Sequence, residues 1–92
     1  MKVLVQNRRQ VNGGDREGTT PLMHAARKGH VEIVRILLEN GAEINGTDKM
    51  GNTALLHAAK AGRRDVIRIL LTNGADVNVR NLKGESALDP AL

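Results

Sequence analysis

The chain has 92 residues, 40% of them apolar and none aromatic, with fourteen Lys and Arg against ten Asp and Glu for a net charge of +4. That length holds one domain at most, and without Phe, Tyr or Trp its core must be assembled from many small aliphatic contacts. The absence of cysteine removes disulfides, thiolate nucleophiles and thiolate metal ligands, and no apolar run exceeds three residues, too short for a membrane span or the apolar region of a secretion signal.

In chain order, residues 1–14 read MKVLVQNRRQVNGG, and their pattern makes sense only beside residues 15–80. Residues 15–47 and 48–80 are two statements of one 33-residue unit, sharing Asp, Gly, Thr, Leu, His-Ala-Ala, Gly, Arg-Ile-Leu-Leu, Asn-Gly-Ala and Asn at matching places. A fixed period of this length signals stacked repeats, because one such unit buries its apolar face only against a copy of itself. On that register Val3-Leu4-Val5 falls on Ile36-Leu37-Leu38, so residues 1–14 read as the C-terminal half of a repeat, with Arg8-Arg9 in place of Gly41-Ala42.

Thr20 before Pro21 predicts a helix start, since a hydroxyl caps the first turn and proline is tolerated there; Gly29 predicts its stop. A second helix is expected from about His30 to Asn40, ending at Gly41. Its charged residues Glu32, Arg35 and Glu39 form one exposed stripe, while the remaining aliphatic residues cover enough of the circumference to contact neighbours on both sides. The polar stretch GAEINGTDKMGNT predicts a projecting turn or short hairpin with Ala42 and Ile44 turned back toward the helices. The second unit repeats the plan, with helices from Thr53 to about Ala61 and from Asp65 to Asn73, stopped by Gly62 and Gly74. Residues 81–92 match the opening of a third unit, the N-terminal half of a repeat, until Asp89-Pro90 departs from the pattern.

The segments GTTPLMHAARKGHVEIVRILLENGAEIN and GNTALLHAAKAGRRDVIRILLTNGADVN resemble the ankyrin repeat, and the resemblance extends over all 92 residues. It implies an all-α repeat solenoid, a single domain of antiparallel helix pairs with projecting hairpin loops. It further implies non-catalytic binding of another protein through the hairpin tips and the face of the first helices. Mapped onto this chain, those positions are Arg16, Glu17, Thr19, Arg27, Lys28, Thr47, Lys49, Met50, Asn52, Lys60, Ala61, Arg80, Leu82, Lys83 and Glu85. The family usually places His directly after Thr-Pro-Leu, where this chain has Met23 and Leu56 with His24 and His57 one residue later. The resemblance also marks Asn45 and Asn78 as candidate sites of hydroxylation, while turn chemistry favours local closure of each hairpin by backbone hydrogen bonds from these side chains.

That surface carries seven cations and two carboxylates, which accounts for the chain's positive balance and suits an acidic protein partner. Met50 and Leu82 are apolar at adjacent tips and are the expected anchors. Two alternatives stand beside this reading. One is a segment excised from a longer array or engineered, whose behaviour is structural, with self-association where Val3, Leu4, Val5 and Leu88 lack a partner helix. The other is weak binding of an anionic ligand or nucleic acid by the basic face, against which the missing aromatic stacking platforms weigh.

Enzyme chemistry finds no support. His24 and His57 recur at the period with no third ligand beside them, so neither a metal nor another cofactor is expected. Ser86, the only serine, has no histidine at motif spacing. An intracellular, reducing compartment agrees with the composition.

Overall fold

The computed structural model describes residues 13–87, which form four helices: α1 (Pro21–Lys28), α2 (Val31–Glu39), α3 (Ala54–Ala61) and α4 (Arg64–Thr72). The first helix of each pair is bounded by local chemistry that the sequence announced. The Thr20 hydroxyl accepts from the Met23 amide at 3.3 Å, and the Thr20 amide donates to the Met23 sulfur at 3.5 Å, a reciprocal cap in which a thioether replaces the usual carboxylate. Thr53 repeats half of this, accepting from the Leu56 amide at 3.2 Å; Leu56 has no acceptor to return.

Gly29 and Gly62 end α1 and α3 in the left-handed conformation, at φ 77° and 72°. The following amides, His30 and Arg63, donate to Ala25 and Ala58 carbonyls at 3.0 and 2.9 Å. A methyl group at Gly62 meets nothing within 4 Å, whereas at Gly29 it lies 2.9 Å from the Arg63 Cδ. Gly62→Ala is therefore expected to cost only the left-handed penalty of about 1–2 kcal/mol. Gly29→Ala should cost more, and Arg63→Ala in the same chain should recover the difference; urea titrations followed by far-UV circular dichroism measure both.

The second helices stop at Gly41 and Gly74, as expected: both glycines take the left-handed conformation, at φ 89° and 90°, and the following amides of Ala42 and Ala75 donate to the Leu37 and Leu70 carbonyls, each at 3.0 Å. Asn40 and Asn73 turn their side-chain amides back to the Ile36 and Ile69 carbonyls, at 2.7 and 2.8 Å. At the other end α4 begins at Arg64, ahead of the expected Asp65, and Arg63 takes the cap position that His30 holds in α2.

Helix α1 packs on α2 and α3, and α4 packs on α3 and α2, so like helices lie side by side. The core is aliphatic throughout: Leu22, Met23, Ala25, Ala26, Val34, Ala54, Leu55, Ala58, Val66 and Leu70. Alanines on the facing sides of α1 and α3 let two short helices approach closely, which supplies the contact neither could form alone in water. The connecting loops contain no strand among the described residues. Ala42, Ile44, Ala75 and Val77 nevertheless turn inward and pack against the core, as the alternation suggested.

Among the described residues a helix packs on one flank of α2; the segment expected on its other flank, residues 1–12, lies outside them. Ile33 and Ile36 are 46% and 55% exposed, while Val66, one period after Ile33, is 1% exposed. Val66 lies on the helix packed against α2; the opposite flank of α2 has no helix against it among the described residues.

Candidate interaction face

The loops before α1, before α3 and in the tail share one construction. The carboxylate of Asp15 accepts from the amides of Glu17 and Thr19 at 2.9 and 3.0 Å. Asp48 accepts from Met50 and Asn52, both at 2.9 Å, and the carbonyl oxygen of the Asn81 side chain accepts from Lys83 and Glu85, also at 2.9 Å. A backbone bond closes each loop onto its glycine: Gly18 to Asp15, Gly51 to Asp48 and Gly84 to Asn81, each 2.9 Å. A short acceptor side chain satisfies two amides that would otherwise point into water, so each tip holds its shape without a strand.

Adjacent tips are tied together. The Lys49 amide donates to the Glu17 carbonyl at 2.9 Å, and the Leu82 amide donates to the Met50 carbonyl at 2.8 Å. A second tie lies below, where the Asn81 side-chain amide donates to the Asn52 oxygen at 2.8 Å. The three tips thus form one ladder, and the apolar Met50 and Leu82, 47% and 75% exposed, stand on neighbouring rungs.

His24 and His57 each face the loop aspartate of their own unit. The His57 Nε2 lies 3.0 Å from Asp48 Oδ2, and the His24 Nε2 lies 3.4 Å from Asp15 Oδ2. The two pairs differ in shelter: the side chains of His57 and Asp48 are 13% and 6% exposed, those of His24 and Asp15 44% and 51%. Burial pushes the His57 pKa down, and the attraction of Asp48 only partly restores it. Burial pushes Asp48 up, but the Asn52 amide, His57 and the Met50 amide outweigh it, leaving the carboxyl below its ordinary value. Asp15 is lowered chiefly by the Thr19 amide. The histidines therefore serve the loops, and no cluster of three or more metal-ligating side chains occurs among the described residues.

The positions mapped from the resemblance divide into two groups. Arg16, Glu17, Arg27, Lys28, Thr47, Lys49, Met50, Lys60, Ala61, Arg80, Leu82 and Lys83 reach the surface. Thr19 and Asn52 do not: they are 8% and 9% exposed, because the bonds from their amides to Asp15 and Asp48 draw them beneath the tips. Glu85 is half-buried, holding Asn81 Nδ2 at 2.8 Å and Lys60 Nζ at 2.9 Å, and these two contacts lower its pKa, the Asn81 bond most. Arg80 bends back to the Gly84 carbonyl at 3.1 Å.

Asn45 and Asn78 are exposed, with different surroundings. The Asn45 oxygen accepts from the Asp76 amide of the next unit at 2.8 Å, so this side chain links two loops where local closure of its own turn was expected. In the second unit it is Asp76 that makes the local bond, to the Asn78 amide at 2.8 Å. Val3, Leu4, Val5 and Leu88, on which the expected self-association rests, lie outside the described residues.

Two contributors escaped the sequence reading. The loop acceptors Asp15, Asp48 and Asn81 recur every 33 residues two positions before a tip residue, a signal that was present. Arg63 Nε, which donates to the Arg27 carbonyl at 2.9 Å and so ties α1 to the start of α4, has no counterpart one period earlier and left no pattern to find.

Among the described residues no helix is long and apolar enough to cross a membrane. A comparison with curated proteins finds no match. The family model for ankyrin repeats in three copies matches residues 1–81. Ankyrin repeats are in general protein–protein interaction modules, and typically non-catalytic. With paired helices, linked tips and a match over most of its length, the chain belongs to the ankyrin-repeat family.

Proposed function

We propose that this chain is a non-catalytic docking module that binds an acidic protein segment across its tips and the adjoining ends of α1 and α3. The observation that carries this reading is the distribution of exposed charge. Arg16, Lys49 and Lys83 stand on successive tips, and Arg27, Lys28 and Lys60 lie in the last turns of the first helices. Of the carboxylates on this face, Glu85 is already bound to Lys60. The ladder between tips supports the same reading, because a surface ordered before contact loses less freedom on binding.

Charge steering makes such an association sensitive to salt. Binding of a polyglutamate peptide, followed by titration calorimetry, should weaken as sodium chloride rises, and a polylysine peptide should not bind. Charge reversal in a Lys28→Glu/Lys49→Glu chain should lower affinity about tenfold or more, with the circular dichroism spectrum unchanged. Equal binding by parent and variant would remove the basic face from consideration.

A further inference from the structure

The 33-residue register carries an internal template for how this face takes a carboxylate. Lys60, in the last turn of α3, bonds Glu85 of the following loop at 2.9 Å. One period earlier, Arg27 occupies the last turn of α1 and Asn52 stands where Glu85 stands. The exchange has a visible cause. In the tail the loop acceptor is the amide Asn81 and the carboxylate is Glu85, whereas in the middle unit the acceptor is the carboxylate Asp48 and the amide is Asn52. Asp48 directs its charge inward to His57. Arg27 is left with an amide opposite it, and among the described residues its guanidinium bonds the His24 ring nitrogen, at 3.3 Å.

A groove opens there, lined by Arg27, Asn52, His57, Lys60 and Ala61. Asn52 is buried and His57 half-buried there, while Arg27 and Lys60 are exposed beside them. The His57 Nε2 is turned to Asp48, whose carboxylate can only accept, so that nitrogen carries the proton of the contact.

We infer that this groove is the subsite for a single Asp or Glu side chain of the acidic partner, bound to Arg27 as Glu85 is bound to Lys60. The inference rests on the docking function proposed above and narrows it from a charged face to one position. The partner is an acidic peptide segment, because the exposed Lys28 and Lys49 offer further cations beside Arg27 for neighbouring carboxylates. Arg27 suits the role, since its planar guanidinium pairs a carboxylate through two parallel hydrogen bonds.

The test is titration calorimetry of the full chain with polyglutamate at low salt, comparing Arg27→Gln with Lys28→Gln. Both variants remove one exposed cation, so a diffuse field treats them alike. The subsite requires about a tenfold loss for Arg27→Gln and about twofold or less for Lys28→Gln. Thermal melts of both variants, expected to match the parent, show that the fold is kept. A second variant, Asp48→Asn/Asn52→Glu, copies the tail's arrangement into the middle unit and should fill the groove in cis, weakening polyglutamate to the same degree. Equal small losses in the two glutamine variants would overturn the subsite and leave the basic face standing. No binding of polyglutamate by the parent chain would overturn both. An oligodeoxythymidylate that binds more tightly than polyglutamate, with the same loss at Arg27→Gln, would overturn the assignment to an acidic peptide.

Discussion

Leu70→Ala is expected to remove a large share of the folding stability of this domain. Leu70 lies in α4 with no exposed surface, in the same aliphatic core as Val34, Leu55 and Val66. Truncating a fully buried leucine costs about 2–5 kcal/mol, from lost transfer energy and from the cavity left behind. A domain of this size has only about 5–15 kcal/mol to lose. One further feature places this site toward the upper end: the core contains no aromatic residue large enough to collapse into the space. In a stack each unit leans only on its neighbours, so loosening α4 loosens its seam with α2. Leu71, the next residue, is 45% exposed, and Leu71→Ala should cost less than about 1 kcal/mol. Urea midpoints by far-UV circular dichroism separate the two; equal midpoints would mean that the core is not where the structure puts it.

The contrast between Leu70 and Leu71 also shows how much of the molecule was legible in the sequence alone. The ends of α1 and α3 were readable because each depends on residues in immediate sequence: Thr20 with Pro21, Thr53, and the glycines at 29 and 62. The stops of the second helices were readable from Gly41 and Gly74, whereas the side-chain bonds that Asn40 and Asn73 add, to the Ile36 and Ile69 carbonyls, were not. Thr19 and Asn52 were assigned to the surface because the family pattern places variable residues there. Their burial is decided by Asp15 and Asp48, whose carboxylates pull the residue four positions on inward. Periodicity tells which positions correspond. It does not tell which of two corresponding residues has already satisfied its charge inside the fold, and that is the difference between Arg27 and Lys60. Arg63 marks the limit, since a single long side chain reaching a carbonyl 36 residues away has no local signature.

Asp48 should be the most sensitive polar position, and its substitutions should separate hydrogen bonding from charge. Asp48→Ala strands the amides of Met50 and Asn52 and removes the partner of His57, three losses of about 1–3 kcal/mol each if none is recovered by water. Partial hydration of the tip reduces the total to about 3–5 kcal/mol, still enough to threaten the fold. Asp48→Asn keeps an oxygen for both amides, and Asn81 shows within this same chain that an asparagine closes the loop at equal distances. Its cost should be about 1–2 kcal/mol, the loss of one charge-assisted bond. Acid response then distinguishes the terms. The pKa of His57 lies below its ordinary 6.5, so as pH falls through that value the unfolded chain takes up the proton first and stability declines until the folded His57 titrates as well. The pKa of Asp48 lies below its ordinary 3.8, so its contribution is present above that value and is lost as pH falls through the lowered one. Both groups therefore favour the folded state toward neutral pH. In Asp48→Asn the attraction that partly restores His57 disappears, and the decline that begins near pH 6.5 should become larger, while the further loss in the carboxylate range shrinks. Urea titrations across that pH range measure both slopes. A variant whose stability tracks the parent at every pH would show that the Asp48 and His57 pair does not organise the middle loop.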